Sequence, residues 1–331
     1  MSERSIKLDY IRVLACLMIV TCHYFLFSNL NSGIGRNLAG IGNVVFFMLS
    51  ALLYGSRFHD TMCGDADNPK YESIIFIIGK FLKLGSVLWP FLIVLVGLYI
   101  IYDVKFSWFN VGLNFAFLGY LGKLPGNGHL WFLTVLLACY VEYVILRHIQ
   151  VQKQWLSWFL LIGMCFIMLL LELVGIPGNA FAILGLYGFV FLQANWLTYL
   201  SKSLRLWQAA IGIVSLIVLL WLDYNGLYEK SRILFFLLHD FGGLILVIMC
   251  YRYMPEKNNH VVSLLNSLGF EIYIVHHTLC AGPFVWVAQL TQYHIINYAI
   301  LIISSLVLAC ILHLIAKKLY QYFSALLKSK S

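Results

Sequence analysis

Residues 8–27 read LDYIRVLACLMIVTCHYFLF, and this apolar stretch decides the fold class of the chain. A helix of about 20 apolar residues, rising 1.5 Å per residue, matches the roughly 30 Å hydrocarbon core of a bilayer. The stretch does not resemble a cleaved signal peptide, because it contains Asp9 and Arg12 and no small-residue cleavage site follows it. It therefore predicts a retained first membrane helix.

The composition of the whole 331-residue chain agrees with that prediction. Hydrophobic residues make up 62% and charged residues only 11%, whereas a soluble domain has about 25% charged residues. A water-soluble enzyme and a disordered chain are therefore excluded. The net charge of +8 does not indicate a nucleic-acid partner, because the basic residues lie between apolar runs. The expected surroundings are a lipid bilayer.

Ten apolar stretches are long enough to be membrane spans. They cover residues 8–27, 38–57, 84–101, 129–147, 155–175, 181–200, 206–222, 233–251, 261–281 and 297–316. An even number of spans places both termini on one side. Of the 22 Lys and Arg residues, only five then fall in outer segments, which predicts cytoplasmic termini. The predicted fold is an all-α, polytopic membrane helix bundle with a single domain over residues 1–331.

Three segments outside these spans carry their own predictions. Residues 74–83 could form an interfacial helix leading into the third span, and the tail after Ala316 predicts a short amphipathic helix on the inner surface. The outer segment 102–128 is rich in aromatic residues. It either forms an ordinary aromatic belt or folds back into the protein.

The first span carries three ionisable side chains, Asp9, Arg12 and His23. At about 100° per residue, Arg12 and His23 differ by only ~20° around the helix, and Asp9 lies about 60° to the other side of Arg12. Exposing three ionisable side chains to lipid costs free energy, so this stripe of the helix is expected to face the protein interior or a water-filled cavity. The alternatives are a structural Asp9–Arg12 pair and a hydrogen-bonded, buried His23.

The stripe has a direction that suits transfer between two compartments. Arg12 and His23 are about 16 Å apart along the helix at 1.5 Å per residue, so Arg12 lies near the cytoplasmic face. A guanidinium binds phosphate or polarises a carbonyl, and an imidazole accepts a proton from a hydroxyl near neutral pH. The pattern favours a phosphate-bearing donor from inside and an acceptor from outside.

Other polar residues are weaker candidates. Lys80 and Lys83 are helical neighbours that could bind donor phosphates or simply mark a cytoplasmic flank. Glu271 and His276 are five residues apart and do not share a helical face. Packing or interfacial roles are the default for the remaining intramembrane groups, which include Glu142, Glu172, His239, Asp240 and His313. No ligand spacing predicts a metal site.

Four motifs, in order along nearly the whole chain, resemble the acyltransferase 3 family of membrane acyltransferases. They are LDYIRVLA at 8–15 followed by His23, VFFMLS at 45–50, HLWFL at 129–133, and SLGFEIYIVHH at 267–277. Two features depart from the family pattern. Ala51 stands where glycine is usual, and Lys80 and Lys83 stand where arginines are typical of the cytoplasmic basic motif.

The resemblance implies an acyl transfer reaction. The donor would be cytoplasmic acyl-CoA, with acetyl the usual acyl group, and no cofactor would be bound permanently. The acceptor would be a hydroxyl on an envelope glycan or lipid-linked saccharide at a bacterial plasma membrane. His23 would be the general base or a transient acyl carrier, and Arg12 would position the donor. Secondary candidates are Asp9, His129, Trp131, Glu271 and His276, with packing or hydrogen-bonding roles as the alternative.

Two other classes of protein remain open from the residues alone. A proton-coupled transporter or flippase of envelope precursors would also need buried acidic residues and histidines. Such proteins often have two related halves and broken helices, and no internal repeat is evident here. A structural partner of a glycan-synthesis machine would leave the intramembrane polar residues dispensable.

Overall fold

The computed structural model describes residues 6–28, 30, 32–61, 69–149, 154–174, 178–226, 231–257 and 259–328. These residues form twelve α-helices and two 3-10 helices and contain no strand, which confirms the all-α prediction. The α-helices are α1 (Ile6–Phe27), α2 (Ser32–Thr61), α3 (Pro69–Ile101), α4 (Trp108–Phe115), α5 (Trp131–Ile149), α6 (Gln154–Leu173), α7 (Asn179–Leu192), α8 (Ala194–Ser203), α9 (Leu206–Tyr224), α10 (Arg232–Tyr253), α11 (His260–Cys280) and α12 (His294–Lys328). The 3-10 helices are Gly128–Leu130 and Gly282–Gln289.

Most of these helices are long and apolar enough to cross a membrane. Among the described residues, seven helical stretches meet that standard alone, and they lie in α1, α2, α3, α5, α6, α10 and α12. The apolar part of α9, Leu206–Leu222, is shorter, and α11 carries several polar side chains. A multi-pass helical membrane protein is therefore supported. The count of ten spans and the cytoplasmic side of the termini stay predictions.

The predicted span 181–200 is not one straight helix. It consists of α7 and α8, which are bent by 77° relative to each other. Gln193 lies at the break with φ −102° and ψ 13°, and its Nε2 donates to Ser157 Oγ on α6 at 2.8 Å. A polar side chain tied to a neighbouring helix explains a bend that hydropathy alone does not indicate.

One prediction about helix ends is also corrected. The tail after Ala316 is not a separate amphipathic helix, because α12 runs unbroken from His294 to Lys328. This sequence contains no Gly or Pro, so no residue in it breaks the helical backbone hydrogen bonds at Lys317. Residues 74–83 are helical, as predicted, and belong to the continuous helix α3, which begins at Pro69 and contains Pro90; their interfacial position stays a prediction.

The chain divides into two compact units. Unit 1 contains Met1–Cys22, Asn31–Asp67 and Val141–Asn266, and unit 2 contains His23–Leu30, Asn68–Tyr140 and Ser267–Ser331. In unit 1, α2 packs on α7 and α10, and α6 packs on α7. Glycines allow this close packing: a Cβ at Gly243 would lie 2.6 Å from Val44 Cγ1, and one at Gly185 would lie 2.6 Å from Met164 Cβ.

In unit 2, α12 packs along α3, and segment 102–128 has an exposed part and a buried part. Trp108 and Phe109 in α4 are 66% and 73% exposed, and an aromatic belt stays a prediction for them. Phe117, in contrast, is buried, with its ring 4.8 Å from that of Phe81. The second half of the segment therefore folds into the protein and brings residues 125–129 to the functional region.

The predicted topology can be tested by cysteine labelling in a background without the eight native cysteines. Asn225→Cys, in the turn after α9, should react with a membrane-impermeant maleimide in intact cells. Lys328→Cys, at the end of α12, should react only after the cells are permeabilised. The opposite pattern would refute the charge argument for cytoplasmic termini.

Candidate functional site

Arg12 lies in the first turns of α1 within a polar set in unit 1. Its Nη1 donates to Asn266 Oδ1 at 2.7 Å and lies 3.5 Å from Asp9 Oδ1. Asn266 Nδ2 in turn donates to Asp9 Oδ1 at 2.8 Å. The carboxylate offsets the guanidinium charge, while the amide bridges both groups and holds the arginine in one orientation. The Arg12 side chain remains 29% exposed, so its cation is not sealed inside the protein.

Four histidines form a cluster in unit 2. His23 is on the last turns of α1, His129 is in the 3-10 turn Gly128–Leu130, and His276 and His277 are neighbours on α11. The ring of His23 lies with its centroid 5.0 Å from that of His276 and 4.4 Å from that of His277. His129 stacks on His277 at 4.4 Å. The predicted candidates His23, His129 and His276 are therefore brought together by the fold.

Hydrogen bonds to backbone groups hold the cluster in place. His277 Nδ1 donates to the carbonyl of Gly126 at 2.6 Å, and the Nε2 of His129 lies 3.2 Å from the carbonyl of Ile274. Tyr273 completes the attachment because its hydroxyl donates to the carbonyl of His129 at 2.8 Å. The turn at residues 126–129 is thereby fixed to α11 from both sides.

The four histidines are not buried to the same degree. His276, His277 and His129 are 0%, 6% and 4% exposed, whereas His23 is only partly buried. Its Nδ1 lies 2.8 Å from His276 Nε2. Imidazole is a base near neutral pH, so His23, the least buried of the four, is the candidate base, and three buried histidines surround it. Within the described residues, no group of three or more His, Cys, Asp or Glu side chains is placed to hold a metal ion.

The other predicted candidates lie apart from the cluster. Lys80 Nζ is 5.1 Å and 5.4 Å from the ring centroids of Phe76 and Tyr140, a cation–π arrangement that holds its charge on α3. Lys83 is exposed, and Trp131 is half-buried with its ring 6.3 Å from Phe132. In the described part of the chain, no hydrogen bond or ring contact joins either residue to the histidine cluster.

Glu271 and His313 form a pair that the sequence did not indicate. His313 Nδ1 lies 2.7 Å from Glu271 Oε1, and Glu271 is buried. An interfacial position for His313 stays a prediction, and the structure adds that its ring is bound to a carboxylate on α11. This contact links α12 to α11, and it favours a structural role for Glu271.

Sequence reasoning missed three residues that this geometry singles out. His277, Tyr273 and Asn266 all lie on α11, and their partners are far away in sequence. The sequence did contain a signal for His277, because burying two adjacent histidines in an apolar helix costs free energy and such residues are usually functional. Asn266 carries no charge, so the rules for intramembrane ionisable groups overlook it.

Two glycines form the turn contact that carries the cluster. Gly126 and Gly282 have φ values of +67° and +66°, which only glycine adopts readily. A Cβ on Gly126 would lie 2.7 Å from the carbonyl oxygen of Ala281, and one on Gly282 would lie 2.7 Å from Gly126 N. Any side chain here would push apart the two backbones and displace the carbonyl that binds His277.

We expect Gly282→Ala to lower the melting temperature in detergent by roughly 5 °C or more, from about 1–2 kcal/mol of left-handed strain plus the clash. A fluorogenic thiol reagent can follow unfolding, because Cys16, Cys22, Cys139 and Cys280 are buried. Gly97→Ala is the matched control. It lies in helix α3, where an added Cβ meets no atom within 4 Å. Equal melting of the two variants would contradict the role assigned to the glycine contact.

Comparison with known proteins gives one finding. A family model described as an acyltransferase domain matches residues 5–314 of the 331-residue chain. The match confirms the family resemblance that the four motifs predicted, and it includes both the Arg12 set and the histidine cluster. No curated protein and no solved structure matches the chain.

Proposed function

The chain belongs to the acyltransferase 3 family and is an acyltransferase, and we propose that it performs O-acylation in a cell membrane. The donor is acyl-CoA from the cytoplasm, and acetyl is the first acyl group to test. The acceptor is a hydroxyl of an envelope glycan or of a lipid-linked saccharide. The observation that carries this proposal is the position of His23 as the least buried base of the histidine cluster.

The reaction requires a proton acceptor and a group that holds the donor. His23 takes the proton of the acceptor hydroxyl while the oxygen attacks the thioester carbonyl. The new carbon–oxygen bond forms, the carbon–sulfur bond breaks, and the CoA sulfur leaves as a thiolate that receives the proton back from His23. General base catalysis of this kind contributes about 10²–10⁴ in rate. The same imidazole therefore serves both halves of the reaction.

Arg12 is suited to the donor. Its guanidinium is a permanent cation with planar N–H donors, the arrangement that binds phosphate oxygens best. Acyl-CoA carries phosphates, and Arg12 lies at the predicted cytoplasmic start of α1. Asp9 and Asn266 orient the guanidinium through the hydrogen bonds to Nη1 and to each other. We assign donor binding to Arg12 and positioning to Asp9 and Asn266.

The test is incubation of purified protein with radiolabelled acetyl-CoA and candidate envelope glycans. The expected result is a labelled, base-labile ester on the glycan with release of free CoA in equal amount. A transporter or flippase would move the glycan across proteoliposomes without changing it chemically. Transport without ester formation, for every acyl-CoA and glycan class tried, would refute the proposal.

A further inference from the structure

The tautomer of His276 is determined by the backbone of its own helix. Its Nδ1 lies 2.9 Å from the carbonyl oxygen of Ile272, one turn earlier on α11. A carbonyl oxygen can only accept a hydrogen bond, so Nδ1 of His276 carries a proton. The ring is fully buried at 0% exposure, and it cannot exchange this partner for water. In neutral His276, Nε2 is consequently an unprotonated acceptor.

That assignment fixes the tautomer of His23. The two atoms that face each other across the contact are His276 Nε2 and His23 Nδ1, which are 2.8 Å apart. Two bare nitrogens at this distance would repel, so the proton of the hydrogen bond belongs to His23 Nδ1. Since neutral imidazole carries one N–H, His23 Nε2 is left with its lone pair. His23 therefore donates to His276, and His276 donates to the carbonyl of Ile272.

The opposite direction would require a charged histidine. For His276 to donate from Nε2 while it also binds Ile272, both of its nitrogens would need protons. The neighbouring rings are His129, His277 and Tyr273, and no carboxylate among the described residues is hydrogen-bonded to the cluster. A buried cation without a counter-charge is expensive. The ground state is therefore the neutral pair with His23 as the donor.

We propose that His276 is a positioning residue that holds His23 in the Nδ1–H tautomer and so keeps Nε2 available to the acceptor hydroxyl. This inference rests on the proposed function, in which His23 is the base for the acceptor hydroxyl. When Nε2 takes the proton, the Nδ1–H of the resulting imidazolium donates a charge-assisted hydrogen bond to His276, which is stronger than the neutral one. His276 thus stabilises the charged form in which the reaction passes through its transition state.

The other two histidines do not have this function. His277 Nδ1 donates to the carbonyl of Gly126, and His129 Nε2 donates to the carbonyl of Ile274. Each of these neutral rings therefore uses its only N–H in a hydrogen bond to the backbone. In the described residues, neither is hydrogen-bonded to His23. They form the walls of the site, whereas His276 is the ring in direct hydrogen-bond contact with the base.

The spectroscopic test is a ¹⁵N spectrum of the full-length protein with labelled histidine in nanodiscs. Protonated and bare ring nitrogens of neutral imidazole resonate far apart, and the signals of His23 are those lost in His23→Gln. We expect a protonated Nδ1 and a bare Nε2 for His23. In His276→Ala both nitrogens should shift to averaged positions, because nothing then holds the proton on Nδ1. A bare Nδ1 in the native protein, or an unchanged spectrum in His276→Ala, would overturn the proposal.

The kinetic test uses a series at position 276. His276→Ala should lower kcat for acyl transfer by about 100-fold with little change in the donor KM, since the chemical step rather than binding is affected. His276→Gln offers a carbonyl oxygen in place of Nε2 and should recover at least tenfold over alanine. His260→Gln is the matched control, because it lies exposed at the start of the same helix. No recovery by glutamine, with correctly inserted protein, would contradict the acceptor role.

The two proposals fail in different ways. If His23→Gln keeps full acyl transfer, His23 is not the base and the proposed function of this site is lost, although the spectrum still decides the tautomer. If His23 is essential but His276→Ala is fully active, the base assignment stands and the positioning role of His276 is refuted.

Discussion

His23→Gln should lower acyl transfer by about a thousandfold, within the 10²–10⁴ range of a lost general base. Glutamine keeps a polar side chain of similar length but has no basic nitrogen. His23 is the least buried histidine of the cluster, so we expect neither His276 nor His277 to replace it. The measurement is ester formation from radiolabelled acetyl-CoA by equal amounts of purified native and variant protein.

Protein level and insertion must be unchanged for this result to count. His260→Gln, outside the cluster, should keep full activity and serve as the control for histidine replacement in general. Ester formation within threefold of the native rate in His23→Gln would remove His23 from the chemistry. If the product were still an ester, the acyltransferase assignment would survive but the base would have to lie elsewhere.

The sequence predicted the contents of the first helix well, for a physical reason. A charge or an imidazole in an apolar stretch is expensive, so its presence there signals an interior partner. The angular argument placed Arg12 and His23 on one stripe, and both are hydrogen-bonded to polar side chains of the protein. The alternative of a structural Asp9–Arg12 contact is also realised, through the Asn266 bridge.

The sequence could not predict which helices meet. The partner of His23 is 253 residues away, and that of Arg12 is 254 residues away. Hydropathy identifies a span but contains no information about its neighbours. His129 became a candidate only through the motif resemblance, His276 was a weak candidate as an intramembrane histidine, and His277 was not selected as a site residue. A contact to a backbone carbonyl, such as that of His277 with Gly126, does not depend on the side chain of the accepting residue. The sequence therefore does not reveal it, and only the structure does.

The errors about helix continuity have the same origin. Residues 181–200 are apolar on both sides of Gln193, so composition predicts one helix where the chain bends by 77°. Conversely, Lys317 and Lys318 suggested an end to the last span, whereas helix α12 continues past them to Lys328. Local charge determines where a helix leaves the membrane, but it does not determine where the helix ends.

Arg12→Lys tests the donor side of the proposed function and should separate donor binding from the chemical step. Lysine keeps the charge but supplies a point cation instead of a planar fork. Losing one hydrogen bond to a charged group costs about 1.5–3 kcal/mol, which is about 10- to 150-fold in kcat/KM. We expect most of that loss as a higher KM for acetyl-CoA, with the acceptor KM unchanged. Initial rates at varied donor and acceptor concentrations measure both.

Two further variants make this result specific to the position of the guanidinium. Asn266→Ala removes the oxygen that binds Arg12 Nη1 at 2.7 Å, so it should raise the donor KM in the same direction but by less. Arg252→Lys, in the last turn of α10, changes the same side-chain chemistry outside this set and should have no effect. A rise in the acceptor KM instead of the donor KM would place the acceptor at Arg12. The two substrates would then meet His23 from directions opposite to those proposed, because Arg12 and His23 lie eleven residues apart on one unbroken helix.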